Sequence, residues 1–382
     1  MIERAPNVRH FAALAATVRY GSLTRAARAV NLTQPALTQA ISGLETSLGV
    51  SLFERGALGM TASEPALMLA ARAEAAIEHI GSPRVTGTQL RAFLAVARAG
   101  SYAAAAEATG LSPASLHRAV ADLAVALGHR LIERRGRNIL LTPQGERRAR
   151  GFGLAMAELR AGLAEVAAWR GLAGGRIVVG AMPLSRARWL PASIMRFAAS
   201  HPGVDISVHE GSHADLSGPL RDGEIDMILG ALRDEAGAEG LAQEAVFVDR
   251  PVVMMRSGHP LLSAPDAASS ILDYPWILPG RETPLRGFWE GMIRASGLEP
   301  PHVSVECGSV MMVRQMLLAG DGLTLLSRDQ LSVELDAGLL AALPAPVPVE
   351  RTIGIISREG WRPTGLQSEF IAILREGGTN IR

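Results

Sequence analysis

The first residues to weigh for chemistry are "HEGSH", His209 to His213. The letters match a zinc-protease motif, in which two histidines four apart on a helix hold the metal and the glutamate activates water. Here Val204, Ile206 and Val208 alternate as a strand leading into the motif, Gly211 sits inside it, and no obvious third ligand follows. The pattern points away from a metal site, and no cofactor is expected. A second group sets polar side chains at helical spacing ahead of arginines. Gln34, Pro35, Thr38 and Gln39 are followed by Arg55; Ser112, Ser115, His117 and Arg118 are followed by Arg134, Arg135 and Arg137. Amides, hydroxyls and guanidiniums of this kind reach base edges in a major groove, and arginine suits phosphate. No Ser-His-Asp order or paired-carboxylate pattern stands out, and "GHP" (Gly258–Pro260) reads as a turn. The chain is not expected to be an enzyme.

All 38 basic residues are arginine. Without lysine there is no Schiff-base amine, no P-loop lysine and no Ser-x-x-Lys pair. A single cysteine, Cys307, excludes an internal disulfide and any Cys-rich cluster, and reads as a small buried hydrophobe. The 382 residues, 48% apolar and 20% charged, suffice for two to four domains with sizeable cores. Neither a bilayer-spanning apolar run nor a signal-peptide core is legible, so the cytoplasm is expected, with no membrane partner. The net charge of +1 hides an asymmetry: up to Arg170 there are about 20 arginines against 12 carboxylates, and beyond it about 18 against 25. A basic front joined to an acidic remainder suggests a polyanion partner for the front alone.

The elements that must position these residues occur twice. With an offset of 79 residues, 11–55 align with 90–134 without a gap, with about 17 identities in 45 pairs. Gly21/Gly100, Ser22/Ser101, Leu37/Leu116, Leu44/Leu123, Gly49/Gly128 and Arg55/Arg134 are among them. Each copy parses as three helices and a wing. In the first, Gly21 ends a helix, Ser22 caps the next, and Asn31-Leu32 makes a tight turn. Thr33 caps a third helix with Pro35 in its first turn. Leu37, Ile41, Leu44 and Leu48 bury one face of it and leave Gln34, Thr38, Gln39 and Ser42 outward. Two helices joined by so short a turn, with a strand pair after them, have winged helix-turn-helix spacing. A longer helix runs from about Pro143 to Trp169, with an apolar stripe at Leu154, Leu159, Leu163 and Val166 and with Gly151, Gly153 and Gly162 weakening it. Its expected partner is a second chain, the alternative being packing on its own domains. "GLAGG" (Gly171–Gly175) is a hinge, after which strands and helices alternate as in an α/β domain with parallel strands.

"LTQPALTQAISGLETSLGVSLFER" resembles the helix-turn-helix signature of LysR-type transcriptional regulators. The second copy, "LSPASLHRAVADLAVALGHRLIERRGRNILLTPQG", resembles the later half of that signature region, and the likeness continues to the end of the chain. "VGAMPLSRARWLPASI", "GEIDMILGALR" and "ISREGWRPT" are most similar to the subgroup of galactose-binding-protein regulators. An ordinary member carries one winged helix-turn-helix, so two is a departure. The resemblance implies a multidomain chain. Two α-rich winged helix-turn-helix domains (1–64 and 86–145) flank a connecting helix (65–85). A linker helix for dimerisation (146–172) leads to a two-lobed α/β effector domain like periplasmic binding proteins (173–382). Its lobe I spans about 176–249 and 348–382, its lobe II about 250–347. The implied partners are double-stranded operator DNA, a small-molecule effector, RNA polymerase, and the chain itself as dimer or tetramer.

By the same resemblance, Met182, Pro183, Leu184 and Ser185 fall on the first ligand loop. Gly230 and Ala231 end a strand on the same crevice, and Thr283, Arg286 and Ser309 face it from the other lobe. Hydroxyls with a guanidinium suit a sugar, sugar acid or other small polar metabolite. Copy two, with three wing arginines and its place before the linker helix, is expected to be the principal DNA contact. Copy one has the more typical recognition helix but only Arg55 in its wing, and either extends the footprint or contacts protein. The alternative is a protein-association module with DNA binding weak or lost in one or both repeats.

Overall fold

A computed structural model describes residues 7–56, 59–136, 138–172, 174–234 and 237–379. The chain divides into two compact units. The first runs to Arg176 and takes in the short segments Gly203–Asp205 and Arg221–Glu224; the second comprises the rest.

The first unit holds one motif twice. Copy one is α1 (Val8–Tyr20), α2 (Leu23–Ala29), α3 (Gln34–Leu48), the hairpin β1 (Phe53–Gly56) and β2 (Gly59–Ala62), and α4 (Glu64–Ile80). Copy two is α5 (Gly87–Ala99), α6 (Tyr102–Thr109), α7 (Pro113–Leu127), β3 (Ile132–Arg135), β4 (Asn138–Leu141) and α8 (Pro143–Trp169). The same local chemistry punctuates both. Ser22 and Ser101 cap α2 and α6, and Thr33 and Ser112 cap α3 and α7, each accepting from a backbone N–H three residues on. The turn between second and third helices takes a left-handed residue each time, Asn31 (φ 55°) and Gly110 (φ 69°), and asparagine is the side chain that tolerates this best. The hairpins share one register, with Phe53 opposite Ala62 and Ile132 opposite Leu141. Fully buried Leu37 and Leu116 anchor the third helices.

The two longest helices of the unit pair with each other. The N-caps of α4 and α8, Ser63 and Thr142, keep the 79-residue offset, so these helices are the same element of the two copies. They run antiparallel. Trp169 Nε1, at the end of α8, donates to Glu64 at the start of α4 (3.0 Å), and Arg148, near the start of α8, donates to the Ile80 carbonyl (3.1 Å). Between these ends Leu69, Ala73, Ala76 and Ile80 share a core with Phe152, Ala155, Leu159 and Val166. The Arg72 side chain, 7% exposed, bridges Glu158 (3.1 Å) and Glu165 (2.5 Å). Burial works against its charge, but hydrogen bonds and charge from the two carboxylates outweigh that and raise its pKa. The glycines that weaken α8 as an isolated helix sit where neighbours come close. A Cβ at Gly151 would lie 2.7 Å from the His79 carbonyl oxygen, and one at Gly162 2.8 Å from Leu69. Of the α8 stripe, whose expected partner is a second chain, Leu159, Leu163 and Val166 pack in the core shared with α4 of the same chain.

The second unit contains β5 (Gly175–Ala181), α9 (Trp189–Ser200), β6 (Val204–Glu210), α10 (His213–Arg221), β7 (Met227–Ala231), β8 (Leu241–Asp249) and β9 (Val252–Arg256). It continues with α11 (Ala267–Ser270), β10 (Ile277–Leu278), α12 (Pro284–Ala295), β11 (Val305–Glu306), α13 (Val310–Ala319) and β12 (Thr324–Leu326). Last come α14 (Ser332–Asp336), β13 (Leu340–Leu343), β14 (Arg351–Arg358) and α15 (Gly365–Thr379). One sheet has the order β6-β5-β7-β14-β8, another β12-β9-β13, and β10 pairs with β11. β5 and β7 are parallel, as strand–helix alternation predicts. The all-parallel expectation fails elsewhere: β14 runs antiparallel to β7 and β8, and β9 antiparallel to β12 and β13. β14 arrives from far along the chain, so no crossover helix sets its direction. Each sheet has its own core, Leu216, Leu220 and Ile228 at the first, Trp276, Trp289 and Leu325 at the second. Among the described residues no helix is long and apolar enough to cross a membrane.

Candidate nucleic-acid interface and effector site

Leu37, Ile41 and Leu44 seat α3 and turn its other side outward. Gln34, Pro35 and Gln39 are exposed and Thr38 half-buried; with Ser42 and Thr46 they share one open surface of the helix. Thr38 donates to the Gln34 carbonyl (3.0 Å), and Thr24 donates to the Gln34 side-chain oxygen (3.3 Å), which leaves the amide nitrogen to donate outward. On α7, Ser112, Ser115, His117 and Arg118 are all exposed. Ser112 is the cap, accepting from the Ser115 N–H (3.1 Å), and the two hydroxyls meet at 2.8 Å, so this pair is committed to the helix start. His117 leans on Tyr102 at 5.3 Å. Burial pushes the Tyr102 phenol up, and the nearby Arg134 charge opposes that. Arg134 and Arg135 are exposed on β3, and neither they nor Arg118 form an ion pair among the described residues. Arg55 lies on β1 with its side chain outside the described residues, and Arg137 lies outside them altogether.

The outward faces of α3 and α7 share nothing at equivalent positions. Gln34 matches Pro113, Ala36 Ser115, Thr38 His117, Gln39 Arg118 and Ser42 Ala121, while the buried Leu37/Leu116 and Leu44/Leu123 are identical. The scaffold is repeated and the outward surface is not.

In the second unit, the loop after β5 sits on the end of β7. Met182 N–H donates to the Leu229 carbonyl (3.0 Å), and a Cβ at Gly230 would lie 2.6 Å from the Met182 side chain. Met182, Gly230 and Ala231 are thus brought together, with Pro183 and Leu184 following. Ser185 is fully buried and its hydroxyl donates to the Met182 carbonyl (2.9 Å), so it shapes the loop. Thr283 and Ser309 open α12 and α13; Thr283 donates to the Gly280 carbonyl (2.8 Å) and Ser309 accepts from the Met312 N–H (3.4 Å). Arg286, expected on the effector crevice, has partners within its own domain. It is 3% exposed, stacks over Trp289 at 5.2 Å, and lies 3.4 Å from Glu290 and 3.5 Å from Glu306. Its charge is matched inside the domain. A pair that spacing could not reveal is Arg188 with Asp329 (3.9 Å), which links the segment before α9 to the turn after β12. Burial raises the Asp329 pKa, Arg188 opposes that, and Asp249 adds to it. His209 and Glu210 end β6, His213 opens α10, and Glu210 pairs with Arg186, so the zinc-protease letters share no helix face. Among the described residues no cluster of His, Cys, Asp or Glu could hold a metal.

The family model of the "bacterial regulatory helix-turn-helix protein, lysR family" matches residues 8–66 and 88–146, and the "LysR substrate binding domain" matches 170–379. The chain belongs to the LysR family of transcriptional regulators. Members bind DNA and small-molecule effectors and oligomerise. The HTH-type transcriptional regulator GalR of Pseudomonas putida is 30% identical over 385 residues, 97% of each chain. PcaQ of Agrobacterium fabrum, also an HTH-type transcriptional regulator, is 28% identical over 78% of this chain and 96% of its own. Two solved structures share the fold. Full-length OxyR from Pseudomonas aeruginosa, a point variant, gives a TM-score of 0.56 at 23% identity, covering 77% of this chain and 94% of its own. Full-length LysG from Corynebacterium glutamicum with bound effector Arg gives 0.54 at 18%, covering 76% and 97%. This LysR-type regulator therefore combines DNA-binding and effector-binding domains, and its named relatives are transcriptional regulators rather than enzymes.

Proposed function

We propose that this regulator contacts promoter DNA through both N-terminal copies, with copy two the principal contact. A small polar metabolite of the sugar or sugar-acid class, held at the Met182–Ser185 loop and the end of β7, changes DNA affinity or bending. The observation that carries the DNA reading is the set of exposed guanidiniums beside α7: Arg118 on the helix, Arg134 and Arg135 on the wing, none in an ion pair among the described residues. Cations left free in this way release counterions when they meet phosphate. The helix-turn-helix family matches each copy separately, and the alignment with GalR, over 97% of both chains, runs through both. The likeness to galactose-binding-protein regulators rests on the stretches around Met182, Gly230 and Trp361. The chain works in the cytoplasm, self-associates as a dimer or tetramer, and acts on RNA polymerase.

Footprinting on the gene's own upstream DNA tests this reading. Wild type is compared with Thr38→Ala/Gln39→Ala and with Arg134→Ala/Arg137→Ala. The second variant is expected to lose the footprint and the first to lose one flank. A wild type that protects no DNA but captures partner proteins supports the protein-association reading instead.

A further inference from the structure

We infer that the α4–α8 pair makes one chain the equivalent of a two-headed DNA-binding dimer, so that a single chain reads two unlike half-sites. The inference rests on the reading that both copies contact DNA. In a dimer of one-headed chains, the same element of each chain pairs across a twofold axis, and the site on DNA is an inverted repeat. Here the same element of two copies pairs within one chain. The register set by Glu64 with Trp169, Arg72 with Glu158 and Glu165, and Ile80 with Arg148 brings Ala76 level with Ala155. Those two alanines are equivalent residues, and both are 1% exposed or less. Ile80 and Leu159 are likewise equivalent and buried, as are Ala73 and Phe152. The pairing has the form of an isologous interface with its local axis between the alanines.

Its side chains break that symmetry in an informative way. The position equivalent to Arg72 is Gly151, and the one equivalent to Glu158 is His79. A pairing of two α4 helices would bury Arg72 opposite histidine, without a carboxylate. In a pairing of two α8 helices Glu158 would lie opposite Gly151, and its nearest guanidinium would be Arg148, which here serves the Ile80 carbonyl. Only α4 against α8 sets Arg72 between two carboxylates, Glu158 and Glu165, so this charged bridge favours the unlike pair.

Each wing leads straight into its helix, β2 into α4 and β4 into α8. Because Glu64 meets Trp169, the two helix starts stand about one length of α8 apart. At 1.5 Å per residue, its 27 residues span about 40 Å. That is of the order of one B-DNA turn, roughly 35 Å, the spacing of two successive half-sites. The heads so spaced differ at the five outward positions of α3 and α7. Gln39 suits an adenine edge, whereas Arg118 suits guanine. Any self-association of the chain then repeats the whole two-part unit.

The test is selection of duplexes from a random-sequence pool by the full chain. The expected site has two unlike half-sites about one turn apart. Replacing either half by an inverted copy of the other should weaken binding roughly tenfold or more. Gln39→Ala should relax one half and Arg118→Ala the other. A site made of two inverted copies of one half-site overturns the inference while leaving DNA binding by the protein intact. Recovery of no duplex overturns the underlying reading and the inference with it. Independently, Ala76→Cys/Ala155→Cys in a Cys307→Ser background should close a disulfide on oxidation at monomer mass. A dimer-mass band, or no bond, overturns the intrachain pairing.

Discussion

Arg72 and Arg286 show how differently two buried arginines can act from the roles their sequence surroundings suggest. Arg72 stands in an alanine-rich helix with no sign of function, yet it holds Glu158 and Glu165, 86 and 93 residues away. Arg72→Ala would leave two partly buried carboxylates without their cation, at a cost of about 3 kcal/mol. Urea unfolding of the full chain should show that loss in the transition of the first unit. Replacing all three by apolar residues (Arg72→Met, Glu158→Leu, Glu165→Leu) should recover most of it, because a packed apolar patch carries no desolvation penalty. Arg286 follows a loop that invites a ligand-binding reading, but Glu290, Glu306 and the Trp289 ring enclose it. Arg286→Ala should therefore lower the stability of the effector domain by about 3 kcal/mol. If the variant keeps its melting temperature and loses only effector response, Arg286 is a ligand contact after all. Its partner Glu306 lies 20 residues on, where no periodicity points.

At the scale of elements, the helices of both copies were legible because their signals are local. Caps such as Ser22, Thr33 and Ser112, the left-handed glycines, and leucines at spacings of three and four all act within one turn. The pairing of α4 with α8 was not legible. Over 64–80 against 143–159 only Ala70/Ala149 and Ala76/Ala155 coincide, so the repeat fades where it does most for the architecture. In the effector domain β8 carries no clear strand signal, because its burial pattern is mixed and gives no clean alternation. The direction of β14 depends on partners more than a hundred residues back. The wing offers the sharpest element-scale prediction. Arg134 and Arg135 lie on β3 without ion pairs among the described residues. Arg134→Ala/Arg135→Ala should weaken all duplexes alike and flatten the plot of log affinity against log salt by roughly 0.9 for each phosphate no longer neutralised. An unchanged slope would assign these arginines to solvent. The crossing of α4 and α8 can be tested at Gly162, whose Cβ would lie 2.8 Å from Leu69 and 3.0 Å from Arg72. Gly162→Leu should prise the helices apart and reduce DNA affinity without touching either recognition helix.

For the molecule as a whole, control of DNA binding by an effector is a matter of free energy. A ligand that favours one arrangement of the chain shifts DNA affinity by some factor, and linkage requires that DNA shift the affinity for ligand by the same factor. Such couplings are typically about 5- to 150-fold. The Met182 loop seated on the end of β7, and the Arg188–Asp329 pair between separate parts of the domain, are the elements a ligand could bias. Sugars and sugar acids that raise the melting temperature of the full chain should first be identified by thermal shift. Their dissociation constants should then be measured by calorimetry with free protein and with protein saturated by its selected duplex. The ratio of the two constants is expected to equal the change in DNA affinity at saturating ligand. Arg188→Ala should change that ratio while leaving DNA affinity without ligand unaltered, since Arg188 lies outside the DNA-binding unit. Equal ligand affinity in the two states would mean that the effector domain does not control DNA binding at equilibrium.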